Sequence, residues 1–142
     1  MPKKYFTIET AQKKINLHKK RIIKLQNLKK LIDALLSVQI TSMAEIDLHE
    51  LAETNLKLNK EYHKLCHEFY KQLEQLQNSG IIIKDLEQGL IDFYCKFEGR
   101  EIFLCWKLGE PKLAYWHELE TGILGRKKII DLEEEQKKEQ YV

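Results

Sequence analysis

Apolar residues recur every three, four or seven positions through two long stretches in the first half of the chain. This spacing places them on one side of a helix and predicts two long amphipathic helices. Thr7 precedes the first stretch, and its hydroxyl can cap the first helical turn. Ser79 and Gly80 follow the second stretch and predict its end. The apolar stripes consist of Ile8, Ala11, Ile15, Ile22, Leu25, Leu28, Ile32 and Leu35 in the first helix, and of Leu48, Leu51, Asn55, Leu58, Tyr62, Leu65, Phe69, Leu73 and Leu76 in the second.

The short connection between the two stretches predicts an antiparallel helical hairpin over residues 7–79. Neither helix covers the full apolar width of the other. The first helix alone spans about 45 Å at roughly 1.5 Å per residue, which is too long for one small core to cover. We therefore expect the chain to assemble with itself through the hairpin, as a dimer or a tetramer.

After Gly80 the spacing of apolar residues changes from about 3.6 to 2, which predicts strands. Glu98 and Gly99 form a candidate two-residue turn, which sets the register of the strands on either side. That register pairs Phe97 with Arg100, Lys96 with Glu101, Cys95 with Ile102, Tyr94 with Phe103, Phe93 with Leu104, Asp92 with Cys105 and Ile91 with Trp106. A second turn at Glu110 and Pro111 pairs Leu108 with Leu113, Trp106 with Tyr115, Cys105 with Trp116 and Leu104 with His117.

These elements predict an α+β fold, in which a long antiparallel helical hairpin precedes a small antiparallel β-meander of up to four strands. Residues 1–126 form a single domain, with the hairpin at 7–79, the meander at 80–118 and a glycine-rich segment at 119–126. Residues 127–142 mix charges of both signs and are predicted to form a tail. Cys95 and Cys105 face opposite sides of the meander, which excludes a disulfide between them.

Charge is unevenly distributed along the 142 residues, although the net charge is only +2. Residues 1–32 carry ten lysines or arginines against one acid, Glu9, so the rest of the chain is acidic. A basic helix of this kind favours pairing with acidic parts of its own fold or of a partner chain, and nucleic-acid binding is the alternative. Few aromatic residues or arginines accompany the lysines, and arginine matches phosphate geometry better, so we favour pairing within the fold.

Three cysteines, an odd number, occur without an apolar leader segment, so we expect a cytoplasmic protein. No run approaches the roughly 20 apolar residues that a membrane-spanning helix needs. The segment TGILGR at 121–126 has neither the phosphate-loop nor the dinucleotide-binding spacing, and no cofactor is expected.

His63 and His67 are four apart on one helical face and could share a metal ion. No third ligand lies near them in sequence, and a solvated or intersubunit face is the interpretation we favour.

The predicted register collects polar side chains on the second face of the meander. Asp92, Glu101, Cys105 and Trp116 share this face, and Arg100, Glu110 and His117 lie at nearby strand ends. A carboxylate beside arginine, histidine and tryptophan could bind a small polar ligand or transfer protons. A set of structural ion pairs is the alternative, which we favour. His117 is predicted on the apolar face, beside Leu104.

Seven short motifs follow one another in the last third of the sequence: KDL at 84–86, GLIDF at 89–93, GRE at 99–101, LCW at 104–106, GEP at 109–111, YWH at 115–117 and GILGR at 122–126. With YFT at 5–7, they resemble a prokaryotic family known as domain of unknown function 2203. The resemblance covers about residues 5–126, and in the helices it rests on length and periodicity alone. It implies a candidate cluster of Asp85, Asp92, Arg100, Glu101, Trp106, Glu110, Trp116, His117 and Arg126, and it does not include His63, Cys66 or His67.

The sequence therefore favours a cytoplasmic homo-oligomeric interaction or regulatory protein that assembles through its hairpin. The alternative is a small enzyme or ligand-binding protein with a polar site at a subunit boundary, formed by Asp92, Arg100, Glu101, Glu110 and His117. Nucleic-acid binding through the lysine-rich first helix is a third possibility. The sequence assigns no catalytic residue.

Overall fold

A computed structural model describes residues 3–41 and 48–130 of the chain. Two long helices come first, α1 at Ile8–Thr41 and α2 at Leu48–Asn78. The strands that follow are β1 at Ile82–Asp85, β2 at Leu90–Phe97, β3 at Arg100–Lys107, β4 at Tyr115–Glu118 and β5 at Lys127–Lys128. Neighbouring strands are antiparallel, and their order in the sheet is their order in the chain. The predicted α+β fold, a helical hairpin followed by a β-meander, is confirmed.

Hydrogen bonds at the predicted positions define the start of α1 and the end of α2. The Thr10 amide donates to Thr7 Oγ1 at 3.1 Å, which makes Thr7 the N-cap. At the end of α2 the Ile81 amide donates to the Leu76 carbonyl oxygen and the Gly80 amide to that of Gln77. This is the Schellman arrangement that closes many helices. The predicted connection between the helices lies outside the described residues.

The core lies between the first half of α1 and one face of the sheet. Both elements contribute apolar side chains that have almost no contact with water, and α2 adds Leu76. Because α1 supplies most of the helical part of this core, it is the element that holds the sheet in place. The core residues are Phe6, Ala11, Ile15, Ile22, Leu25, Leu76, Ile81, Ile91, Phe93, Cys95, Ile102, Leu104, Trp106, Leu113, Trp116 and Ile129.

Two glutamines of α1 also hold loops of the sheet through backbone hydrogen bonds. Gln12 Oε1 accepts from the Leu113 amide at 2.7 Å. Gln26 Nε2 donates to the carbonyl oxygens of Leu86 at 2.9 Å and Glu87 at 3.2 Å. These bonds fix two loops against the same helix and satisfy polar backbone groups that burial would otherwise leave unpaired.

The predicted register between β2 and β3 is confirmed at every pair from Ile91 and Trp106 to Phe97 and Arg100. Glu98 and Gly99 both have positive φ, 52° and 77°. Two successive residues with positive φ are typical of the type I′ turn, whose twist matches that of the flanking strands. Side chains of Asp92, Phe103 and Cys105 consequently lie on the face opposite the core.

The predicted register between β3 and β4 is wrong by one residue. Leu104 pairs with Trp116 and Phe103 with His117, whereas the prediction paired Leu104 with His117. A loop at residues 108–114 connects these strands, in place of the predicted tight turn at Glu110 and Pro111. A shift of one residue exchanges the two faces of a strand. Trp116 therefore belongs to the core, and His117 lies on the second face.

The sheet continues into the segment expected to be a tail. Lys127 and Lys128 form β5 and pair with Trp116 and Tyr115 of β4, and Ile129 is buried in the core. The sheet thus has five strands instead of four. Residues 131–142 lie outside the described part.

Among the described residues, neither helix has a stretch that is long and apolar enough to cross a membrane.

Two glycines with positive φ provide a test of the packing where β2 begins. A Cβ added to Gly89, at φ 69°, would approach Leu108 Cβ to 2.5 Å, whereas one added to Gly99, at φ 77°, would have no neighbour within 4 Å. Both alanine variants carry the backbone strain of positive φ, about 1–2 kcal/mol. Only Gly89→Ala adds overpacking, about 1–3 kcal/mol. We expect Gly89→Ala to lower the free energy of unfolding in urea by about 1–3 kcal/mol more than Gly99→Ala, and equal losses would contradict the described contact.

Candidate functional site

Asp92 and His117 form a buried pair on the second face of the sheet. His117 Nε2 lies 2.9 Å from Asp92 Oδ2, and the two side chains are 3% and 1% exposed. Asp92 is on β2 and His117 on β4, so β3 lies between them. The sheet register brings them together, because Asp92 is opposite Cys105 and His117 is opposite Phe103, two residues further along the same face.

A backbone contact fixes the orientation of the His117 ring. Nδ1 lies 2.6 Å from the carbonyl oxygen of Glu118. A carbonyl oxygen only accepts hydrogen bonds, so Nδ1 carries the hydrogen and Nε2 faces the Asp92 carboxyl group. Burial lowers the pKa of His117, but the hydrogen bonds to Asp92 and to the Glu118 carbonyl oxygen outweigh it. The pKa of His117 therefore lies above its usual value.

Cys105 completes a cluster of three buried polar side chains. One ligand-type atom from each of Asp92, Cys105 and His117 lies within 4.8 Å of the other two. Burial, followed by the charge of Asp92, raises the pKa of Cys105 to about 12. The thiol is consequently protonated at neutral pH. Within the described part of the chain, Asp92 Oδ1 is buried without a hydrogen-bond partner.

Aromatic rings and cations surround this cluster. Phe103 lies between Tyr94 and His117, with ring centroids 4.7 Å and 5.4 Å away. The ammonium group of Lys84 sits 4.8 Å from the centre of the Phe103 ring. Arg126 stacks on Tyr115, with its guanidinium carbon 4.1 Å from the ring centre. The surroundings of the cluster therefore combine low water access with nearby positive charge.

A second ion pair joins Arg126 to Glu110. The guanidinium group donates to Glu110 Oε1 at 2.6 Å and to the Cys105 carbonyl oxygen at 3.4 Å. Glu110 Oε1 also accepts from the Lys107 amide at 2.6 Å. Burial opposes the charge on Arg126, but the ion pair with Glu110 holds the pKa of Arg126 above its usual value. This pair links the loop before β4 to the residue before β5, so it has a structural role.

The remaining charged candidates have separate partners. Glu101 accepts a hydrogen bond from the Tyr5 hydroxyl and lies 3.6 Å from Lys3, and the bond from Tyr5 is the main cause of its lowered pKa. Arg100 lies 3.8 Å from Glu118, with both side chains about half exposed. Asp85 accepts from the Gln88 amide at 3.1 Å and stabilises the turn after β1. These residues do not join the Asp92 and His117 pair.

Four aromatic or imidazole candidates also lie apart from the cluster. Trp116 was predicted on the polar face but packs in the core, 2% exposed, and its indole N–H has no partner among the described residues. Trp106 donates to the Glu110 carbonyl oxygen at 3.1 Å. His63 and His67 are exposed on α2 and belong to no group of three potential metal ligands in the described chain.

The strand pattern predicted Asp92 beside Cys105, but it did not predict His117 as their neighbour. The β3 to β4 register alone caused the error. A register shifted by one residue would have put His117 on the face of Asp92 and Trp116 in the apolar layer, and the large indole ring was the signal for that choice. Of the five residues proposed for a polar site, the structure brings together Asp92 and His117, while Arg100, Glu101 and Glu110 lie in other pairs.

Removing one member of the buried pair should cost much more than removing an exposed ion pair. In His117→Leu the Asp92 carboxylate stays buried without its partner, which typically costs about 3–5 kcal/mol. Adding Asp92→Asn removes the buried charge, so the double variant should be more stable than His117→Leu alone. Glu118→Gln, which removes only the exposed pair with Arg100, should cost about 1 kcal/mol or less. Urea unfolding measures all three, and a loss in His117→Leu no larger than in Glu118→Gln would show that the pair contributes little.

The chain was compared with protein families, curated proteins and solved structures, and the family match agrees with the resemblance found in the last third of the sequence. No curated protein and no solved structure matches the chain. One family model matches residues 4–129, which include α1, α2 and all five strands. The Asp92, Cys105 and His117 cluster lies within the matched range. The chain therefore belongs to the family described as uncharacterized conserved protein (DUF2203).

Proposed function

We propose that this protein is a cytoplasmic homo-oligomeric interaction protein that assembles through the outer part of its helical hairpin. The main support is that no side chain of α2 from Leu48 to Lys71 is buried, although an apolar stripe runs along that whole length. Only Gln72 and Leu76 of α2 are buried. On α1 the last buried side chain of the described residues is Ile32.

The exposed apolar residues of the hairpin are suited to a helical partner. Leu17 and Leu31 of α1 are fourteen residues apart, and Leu56 and Tyr70 of α2 are separated by the same interval. Multiples of seven keep residues on one side of a helix, as in helices that pack along one another. Large exposed apolar patches of this kind mark interaction surfaces. Leu17, Leu31, Leu48, Leu56 and Tyr70 are all more than half exposed.

A groove between α2 and β1 extends the apolar surface of α2. It has a volume of about 840 Å³ and is lined by side chains that include Phe69, Leu73, Ile83 and Leu86. Asp92 and His117 are not part of its lining. A helix from a second copy fits this description, because the groove continues the partly covered stripe of α2.

Charge supports a second copy as the partner. The lysines of α1 form one ion pair with α2 in the described chain, Lys24 to Glu68 at 3.1 Å, whereas Lys13 and Lys29 pair with Glu9 and Asp33 of α1 itself. The rest of the sequence is acidic, so a second copy offers complementary charge.

The three free cysteines, Cys66, Cys95 and Cys105, support a reducing compartment. Nucleic-acid binding by these lysines stays a prediction.

The Asp92 and His117 pair favours a second candidate function, a small enzyme or ligand-binding protein. A buried carboxyl group next to an oriented imidazole is a common acid and base arrangement. Its position within one sheet means that a single chain supplies both groups. The intersubunit site expected from the sequence would need a contribution from the hairpin of another copy.

Sedimentation of the full chain tests self-assembly. We expect a particle of at least twice the 16.9 kDa chain mass. Leu31→Glu and Leu56→Glu place a charge on side chains that are 55% and 58% exposed in one chain, so they should shift the particle to monomer without unfolding it. The control is Leu124→Glu, because Leu124 is 98% exposed and lies outside the hairpin, on a 3-10 turn at Ile123–Gly125. A 16.9 kDa monomer for the unmodified chain that melts cooperatively would remove the proposal.

A further inference from the structure

Three side chains of ligand type meet on the second face of the sheet, one from each of three neighbouring strands. Asp92, Cys105 and His117 come from β2, β3 and β4, and they are 1%, 0% and 2% exposed. Carboxylate, thiolate and imidazole groups are all ligands that Zn²⁺ and related divalent ions accept. This cluster is separate from the hairpin surface and does not depend on self-assembly.

The orientation of His117 is the one that a metal ligand requires. Nδ1 donates to the Glu118 carbonyl oxygen, so Nε2 is directed at the other two side chains. Metal-binding histidines usually donate their second ring N–H to a backbone carbonyl or a carboxylate, which fixes both the tautomer and the ring plane. That second contact is already present in the chain.

One carboxylate oxygen of Asp92 has no hydrogen-bond partner in the described chain. Asp92 Oδ1 is fully buried, and no group of the described chain donates a hydrogen bond to it. Leaving a buried acceptor unpaired is unfavourable, and more so for a charged group. A cation between Asp92, Cys105 and His117 would give this oxygen a partner.

We propose that Asp92, Cys105 and His117 form a three-ligand binding site for a divalent metal ion of the zinc class. Tetrahedral zinc with bonds of about 2.0–2.3 Å separates its ligands by about 3.3–3.8 Å. The three ligand atoms already lie within 4.8 Å of one another, so they need to move by only about 1 Å. Binding releases the thiol proton of Cys105 and any proton shared by Asp92 and His117 to solvent. The charges of one thiolate and one carboxylate then balance the two charges of the ion.

The surroundings are compatible with this charge balance. Arg126 approaches the carbonyl oxygen of Cys105 and also interacts with its thiol, but the charge of Arg126 is compensated by Glu110 at 2.6 Å. Lys84 lies over the Phe103 ring. Three protein ligands leave a fourth tetrahedral position, which water or a small anion occupies in sites of this type.

Titration of the metal-free full-length protein with Co²⁺ tests the site. We expect one ion per chain, a sulfur-to-cobalt charge-transfer band in the near ultraviolet, and visible bands of tetrahedral cobalt that Zn²⁺ displaces. Cys105→Ser should abolish the charge-transfer band, and Asp92→Asn should weaken binding at least tenfold. Cys95→Ser is the matched control, because Cys95 is a buried cysteine of the same sheet on the opposite face, and it should bind as the unmodified chain does.

A variant without the two exposed histidines of α2 tests whether Co²⁺ binds at the helix surface instead. His63→Ala with His67→Ala should leave the charge-transfer band unchanged, because these side chains are exposed and apart from the cluster. Absence of a thiolate-to-cobalt band in the unmodified chain would overturn the proposal without any variant. Loss of binding in the His63 and His67 variant, with retention in Cys105→Ser, would do the same and assign the ion to the helix surface.

Discussion

The two-residue turn at Glu98 and Gly99 fixes the register on which the sheet depends. Both residues adopt positive φ, which matches the turn to the twist of β2 and β3. Because side chains alternate between faces, this one register decides which residues meet α1 and which do not. It places Phe93 and Leu104 in the core, and it places Asp92 opposite Cys105 on the other face. The centre of the second face is buried as well, and there Asp92, Cys105 and His117 lie close to one another.

Much of this fold could be predicted from periodicity and turn chemistry. Long apolar stripes gave the hairpin, and a two-residue turn with glycine gave the pairing of β2 with β3. The pairing of β3 with β4 could not be obtained in the same way, because a seven-residue loop does not determine a register by itself. Trp116 and His117 are both buried, so polarity along β4 carries little information about its faces. A contact distant in sequence, the hydrogen bond from the Leu113 amide to Gln12, holds this loop against α1.

The candidate site was less predictable than the fold for a related reason. Strand alternation places Asp92 and Cys105 on one face, but it does not say which charged side chain reaches which partner. Glu101 contacts Tyr5, which lies nearly a hundred residues away in sequence. Glu110 contacts Arg126, beyond β4. Long side chains at strand ends take the nearest opposite charge, and only the assembled sheet determines which one is near. The buried cluster thus depends on tertiary packing more than on local sequence.

The two ends of α1 face different energetic demands. From Ala11 to Leu25 the helix buries side chains against the sheet, and this burial offsets the entropy lost on ordering the chain. Beyond Ile32 no side chain of the described helix is buried, yet the chain stays helical to Thr41 and resumes at Leu48. Most of the stability of helices in proteins comes from packing of an apolar face and not from helix propensity. The self-assembly proposed above would supply packing for this outer part of the hairpin. Asp92, Cys105 and His117 are buried within one chain, so the proposed metal site does not depend on the proposed assembly through the hairpin.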